Sequence, residues 1–296
     1  MAEDVAAAID IGSNTVHMLV GAWRDGRVVP LDDAAELIGL AEDVYARGRI
    51  SPARLAEAVD AVARLVQRAR EGGANAVLLV ATAAVRDAAN ADDVAAAVRE
   101  RTGLQLRLID GEREARLTYR GASAGEDASS LQVCDVGGGS TEVIRAEGGR
   151  VTLQTSLPLG SSRLSRLTPT DPPTADEVAA ASAEAERVLA ALPGWHPARL
   201  VVTGGTATAL ARVMGSTARR YGMRREELEG VRALLTRQPA REIAAAYGIS
   251  PGRARLLPAG AAIIAALLQA SGVPSAVLTA AGLRDGLLIE HVEGGQ

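Results

Sequence analysis

The sequence predicts two α/β domains, and three observations carry that expectation. The chain of 296 residues is about twice the length of a usual single domain. Short apolar runs alternate with stretches of helical spacing, the order that builds sheets flanked by helices. A pattern in the first half then recurs in the second: AAIDIGSNTVHMLV (7–20) is echoed by LQVCDVGGGSTEVI (131–144), and AVLLVATAAVRDAA (76–89) by ARLVVTGGTATALA (198–211). Thr82 follows Asp10 by 72 positions and Thr203 follows Asp135 by 68, so an internal duplication accounts for both echoes.

The elements follow in order. Val5 to Ile9 leads through Asp10 and a Gly-Ser-Asn turn into a second apolar run, where Val16, Met18 and Val20 alternate with His17, Leu19 and Gly21. Two strands joined by a turn are expected, with Asp10 at the end of the first. Ser51 is placed to cap a helix that Pro52 opens, and Leu55, Val59, Val62, Leu65 and Val66 keep helical spacing until Gly72 and Gly73. Ala76 to Ala81 reads as a buried strand, followed through Thr82 to Arg86 by a helix. Asn90 to Arg101 is helical and closed by Gly103, and Leu104 to Ile109 returns as a strand. The loop-like stretch Gly121 to Ser130 divides the chain, giving domains of 1–124 and 125–296. Thr174 to Glu177 forms a capping box for a helix to about Leu192. From Pro239 onward the chain reads as helical, with a short strand at Ala276 to Leu278.

Composition removes whole classes of function. All 32 basic residues are Arg, since the chain has neither Lys nor Phe, which excludes any Schiff-base, P-loop or kinase-type lysine. A net charge of −4 and an aromatic content of 2% argue against a nucleic-acid partner held by counterion release or base stacking. Cys134 is alone, and His17, His196 and His291 lie far apart, so neither a disulfide nor a zinc spacing is present. The acidic N-terminus lacks signal-peptide charge, and the apolar stretch Leu256 to Ala270 is too short and interrupted for a membrane span. A cytoplasmic protein with no membrane partner is expected.

Chemistry concentrates in loops. Asp10-Ile11-Gly12-Ser13-Asn14-Thr15 could cradle a phosphate with amides and hydroxyls while the aspartate holds a hydrated cation, or it could be a polar hairpin turn. Asp135 to Glu142 carries three successive glycines, a conformational cost that a mere hairpin rarely incurs. Thr203-Gly204-Gly205-Thr206 joins a buried strand to a helix and so forms an anion site at a helix N-terminus. Together these turns suggest two similar domains facing across a cleft. Glu112 and Glu114 fit either a general base or a solvated first turn, and Arg86 fits either a phosphate contact or a pair with Asp87 or Asp92. From Arg199 to Arg255, eleven arginines and four glutamates give a local charge of +7. That is a polyanion track or an exposed helix face bearing Arg219, Arg220, Arg224 and Arg225.

These residues resemble a known family. AAIDIGSNTVHMLV, TAAVRDAAN, GEREARLTYRGA, DVGGGSTEV, SLPLGSSRL, VVTGGTATALA and GLRDGLL are similar, in that order, to successive motifs of the exopolyphosphatase and guanosine pentaphosphate phosphohydrolase family. The resemblance runs from Ala7 to Ile289 and implies two ribonuclease-H-like domains of the actin and sugar-kinase-like superfamily. It also implies hydrolysis of the terminal phosphoryl group of inorganic polyphosphate. By matching motif positions it makes Glu114 the general base, with Glu142 placing metal or water. Asp10 and Asp135 would organise Mg²⁺ or another divalent cation, and Ser13, Asn14, Arg86, Gly138, Gly139, Ser140, Gly205 and Thr206 would contact phosphate.

Two departures qualify the expectation. The C-terminal helical domain of long family members has no counterpart here, which favours short chains, and LTAAGL (278–283) lacks an acidic residue that some members carry. Guanosine pentaphosphate is the alternative substrate, and a kinase, a nucleotide-dependent switch or an inactive polyphosphate sensor is the alternative class. A homodimer is the expected assembly, and His17 is assigned no role.

Overall fold

The structure, a computed structural model, describes residues 4–24, 27–126 and 129–294. The first three residues and positions 127 and 128 of the expected dividing loop therefore lie outside the described residues. Two compact units emerge, one of 1–124 with 283–296 and one of 125–282.

The first unit begins with three strands, β1 (Val5–Ile11), β2 (Thr15–Arg24) and β3 (Arg27–Leu37), paired antiparallel in sequence order. Helices α1 (Leu40–Arg47) and α2 (Pro52–Glu71) follow, then β4 (Ala76–Ala81), α3 (Ala83–Arg86), α4 (Ala91–Thr102), β5 (Leu106–Leu108) and α5 (Gly111–Ala122). The sheet order is β3-β2-β1-β4-β5, with β4 parallel to both β1 and β5. Strand alternation sorts β1 between two cores. Ala7, Ile9 and Ile11 pack with Val59, Val62 and Leu65 of α2, whereas Ala6 and Ala8 face the opposite side with Leu117 of α5. Asp10 shares the parity of Ala6 and Ala8, so it points to the α5 side. The α2 start is as the sequence predicts: Ser51 accepts from the Arg54 amide and Pro52 takes the first position.

The second unit repeats this plan. It contains β6 (Ser130–Val136), β7 (Thr141–Glu147), β8 (Arg150–Leu157), α6 (Ser161–Leu164), α7 (Ala175–Leu189), β9 (Arg199–Thr203) and α8 (Gly205–Val213). It continues with β10 (Arg220–Arg224), α9 (Arg225–Leu235), α10 (Ala240–Tyr247), α11 (Pro251–Ser271) and β11 (Ser275–Thr279). Its sheet runs β10-β11-β9-β6-β7-β8. Thus β8-β7-β6-β9 reproduces β3-β2-β1-β4, β11 takes the place of β5, and β10 is an added edge. The capping box at Thr174 and Glu177 is formed. Helix α11 is long and apolar enough to cross a membrane by length and composition, and most of it is buried in this unit's core.

Three expectations are corrected. Arg219, Arg220, Arg224 and Arg225 are not one helix face: Arg220 to Arg224 is the edge strand β10, and Arg225 opens α9. The strand expected at Leu104 to Ile109 shrinks to Leu106–Leu108. The last helix, α12 (Leu283–Gly294), belongs with the first unit rather than with 125–282. Leu283, Leu287 and Leu288 join Ala6, Ala8, Leu19, Val80, Ile109 and Leu117 in one cluster. Arg113 and Arg120 of α5 pair with Glu290 and Glu293. An apolar helix reads alike whichever sheet it covers, so sequence pattern could not assign it.

Candidate active site

The two repeated turns are built alike down to single hydrogen bonds. The Gly12 amide donates to the Thr15 carbonyl at 2.9 Å, and the Gly137 amide donates to the Ser140 carbonyl at 3.0 Å. Register places His17 directly opposite Asp10 and Glu142 directly opposite Asp135.

The carbonyls of both turns are occupied by the segment after the third strand. In the first unit the Ala41 amide donates to Ser13 O at 2.8 Å, and the Ile38 and Gly39 amides donate to Asn14 O at 2.7 and 2.9 Å. In the second, the Ser161 amide donates to Gly137 O at 2.9 Å. The Ser162 and Arg163 amides donate to Gly138 O at 2.9 and 3.1 Å, and Arg163 Nε donates to Gly139 O at 3.0 Å. With the carbonyls drawn to one side, the amides of Gly138 and Gly139 have no protein acceptor among the described residues. Backbone donors left in this way are chemically suited to receive an anion. Gly160 must be glycine, because a Cβ there would overlap Gly138 O. Gly39, at φ +79°, holds the matching place in the first unit.

In the second unit the remaining chemistry gathers beside Asp135. Glu142 is 1% exposed and accepts from Ser156 Oγ at 2.7 Å. Gly204 adopts φ +97°, and a Cβ there would lie 2.5 Å from Asp135 Oδ1. Gly205 opens α8, and its backbone lies against the Arg253 guanidinium, 2.6 Å from where a Cβ would stand. Burial lowers the pKa of Arg253 from the usual arginine range. The Thr206 side chain is buried against Gly260 of α11, so this residue offers its backbone rather than its hydroxyl.

In the first unit the structure separates the two glutamates of the GERE segment. Asp110 caps α5 by accepting from the Arg113 amide at 2.7 Å. Glu112 points outward to Arg116 at 2.9 Å. Glu114 is 7% exposed and accepts from Arg86 Nη1 at 3.3 Å, while the same Nη1 donates to Ile109 O at 3.0 Å. Arg86 also lies 3.7 Å from Asp87. His17 bonds Asp33 at 2.7 Å.

Asp10, Ser13, Asn14, Arg86 and Glu114 therefore belong to the first unit. Asp135, Gly138, Gly139, Ser140, Glu142, Gly205 and Thr206 belong to the second. Each set lies at the carboxyl ends of its parallel strands, where open α/β sheets bind ligands. Sequence reasoning missed Arg253, Ser156 and the structural part of Gly160. An arginine inside the first turn of an otherwise apolar helix was the available signal for Arg253. No cluster of three or more His, Cys, Asp or Glu that could hold a metal occurs among the described residues. Asp135 and Glu142, side by side on neighbouring strands, still fit a cation that completes its shell with water and phosphate oxygens, as Mg²⁺ does.

Fold and site first define a class: a duplicated α/β protein of the actin-like and sugar-kinase-like fold, with an Asp-Gly turn between the first two strands of each half. Within that class the chain belongs to the Ppx/GppA phosphatase family, whose model matches residues 21–294, and it is accordingly a phosphatase. Exopolyphosphatase 1 of Mycobacterium tuberculosis is 33% identical over 300 residues, covering 96% of this chain and 87% of that protein. Guanosine-5'-triphosphate,3'-diphosphate pyrophosphatase of Photobacterium profundum is 28% identical over 292 residues, covering 96% of this chain and 58% of that protein. The crystal structure of the Aquifex aeolicus family member superposes with a TM-score of 0.83 at 26% identity, covering 99% of both chains. An exopolyphosphatase from Cytophaga hutchinsonii shares the fold at a TM-score of 0.89 and 23% identity, covering 98% of both chains.

Proposed function

We propose that the chain is an exopolyphosphatase that removes the terminal phosphoryl group of inorganic polyphosphate by attack of water. The observation that carries this reading is the division of labour on α5. Glu114 is withdrawn from solvent and held by Arg86, while Glu112, two residues away, is an ordinary surface acid. A carboxylate withdrawn from solvent and held in one orientation by an arginine suits a general base.

In this mechanism Glu114 takes a proton from water as the water oxygen bonds to the terminal phosphorus and the bridging P–O bond breaks. The shortened chain leaves with the bridging oxygen. Within the second unit the amides of Gly138 and Gly139 and the side chain of Ser140, and within the first Ser13 and Asn14, supply donors suited to phosphoryl oxygens as charge redistributes among them. The amides of Gly205 and Thr206 add the α8 N-terminus to that set. Asp135 and Glu142 in the second unit, and Asp10 in the first, are each residues that would hold Mg²⁺ or another divalent cation, which when bound neutralises charge on the phosphoryl group.

The test is orthophosphate release by purified protein from polyphosphates of defined length, guanosine pentaphosphate and ATP, with and without Mg²⁺. Release from polyphosphate that requires the cation supports the reading. Preference for guanosine pentaphosphate moves it to the alternative substrate. ATP turnover only with an added phosphoryl acceptor replaces it by a kinase, and binding without turnover by a sensor.

A further inference from the structure

The helix that returns to the first unit brings a cation with it. Arg284, the second residue of α12, places Nη1 3.8 Å from Asp10 Oδ2, with the two side chains 16% and 15% exposed. Its Nε is buried and donates to no acceptor among the described residues. A forked guanidinium–carboxylate pair closes to roughly 2.8 Å, so this pair is in ionic contact but stops short of a hydrogen bond.

Packing determines where Arg284 can be. Leu283 on one side and Leu287 and Leu288 on the other are embedded in the cluster under β1 and β2. Two residues on, Gly286 lies so close to α5 that a Cβ would overlap Leu117 O. Leu117 is one turn beyond Glu114, so α12 braces the helix that carries the proposed base while setting a guanidinium beside Asp10. The aspartate stands at the mouth of the Ser13–Asn14 turn, where its charge, whenever no cation is bound, would repel phosphoryl oxygens. A guanidinium at ionic distance offsets that repulsion.

We propose that Arg284 is a positioning residue for Asp10: it fixes the carboxylate and compensates its charge at the point where phosphoryl oxygens gather. This rests on the reading that the Asp10 turn handles phosphoryl groups. It gives the Gly-Leu-Arg element a role exerted through Asp10 and not by contact with the reacting atoms.

A double-mutant cycle tests it, using Arg284→Gln, Asp10→Asn and the pair, with Arg284→Lys as the conservative variant. The readouts are kcat and KM for polyphosphate, the calorimetric Kd for tripolyphosphate, and the thermal midpoint. The expected result is that Arg284→Gln lowers kcat about tenfold or weakens tripolyphosphate at least threefold in the wild-type background. In the Asp10→Asn background it changes either by less than about twofold, because positioning acts through one partner. Arg284→Lys recovers part of the loss, having the charge without the fork. Equal effects in both backgrounds, or a loss that follows the thermal midpoint, overturn the proposal. If the wild-type protein binds tripolyphosphate but releases no phosphate, the hydrolase reading fails, while the cycle measured in Kd still decides the role of Arg284.

Discussion

Glu112 and Glu114 have the same chemistry and lie two positions apart, and their surroundings differ. One is solvated and paired within its helix; the other is buried and tied to Arg86. Replacing Glu114 by Gln keeps the volume and removes the proton acceptor. The expected loss in kcat is roughly 10²–10⁴-fold, the range for a general base, with tripolyphosphate binding retained. Glu112→Gln should leave both unchanged. Unaltered turnover in Glu114→Gln would remove it as the base. A second residue shows how a turn is held from outside. Asp43 of α1 accepts from the Ser51 amide at 3.0 Å and from Ser51 Oγ, and pairs with Arg47 at 3.1 Å. The Ser51 hydroxyl, then the Ser51 amide and the Arg47 charge, hold its carboxyl below the usual range. A depressed folded-state pKa means stability present above the unfolded value, near pH 4, and lost as pH falls through the folded one. Asp43→Ala should therefore cost about 1.5–3 kcal/mol at pH 7, measured by urea unfolding. That difference should shrink below pH 4; a gap independent of pH would contradict the assignment.

At the scale of elements, short connecting segments shape the glycine turns. The first turns of α1 and α6 take up the turn carbonyls, and this requires Gly160 to approach Gly138 more closely than any side chain permits. Gly160→Ala is expected to displace the turn, raising KM for polyphosphate about tenfold and lowering the thermal midpoint. Gly230→Ala in α9, where nothing lies near an added Cβ, should be neutral or stabilising by roughly 0.5–1 kcal/mol. Similar KM values for the two variants would show that the Gly160 contact does not shape the site. Much of this was legible from pattern: Ser51 and Pro52 marked α2, Ala76 to Ala81 marked β4, and the two Asp-Gly turns marked the repeat. Strand β3 was not, because its alternation is polar and includes Pro30, Asp32 and Asp33. It is an edge strand on whose inner face Arg68 to Asp32 at 2.7 Å and Arg64 to Glu36 at 2.5 Å flank Ala34, the one apolar residue between them, which packs against the core. Without β3 and β8, the equivalence of Gly39 and Gly160 could not be seen.

For the whole molecule, the path of the chain makes the two units unequal in self-sufficiency. The dividing loop was readable from its small and polar residues, and the structure sets the boundary after Ala124. The return of α12 was not readable, since its leucines satisfy a helical spacing that says nothing about which sheet receives them. Its consequence is a folding asymmetry. The second unit is one continuous segment, and its buried cluster comes entirely from 125–282. The first unit draws Leu283, Leu287 and Leu288 from the far end of the chain to cover Ala6, Ala8, Leu19 and Val80. Burying three leucines contributes roughly 5–9 kcal/mol, comparable to the net stability of about 5–15 kcal/mol of an ordinary domain. Residues 125–282 expressed alone should therefore unfold cooperatively, whereas 1–124 alone should lack a cooperative transition and bind an apolar dye. Joining 283–296 to 1–124 through a flexible linker should restore the transition, and Leu287→Ala with Leu288→Ala in that fusion should remove it again. Cooperative unfolding of 1–124 without α12 would show that the first sheet is stable with that face uncovered, and that α12 is needed for the site alone.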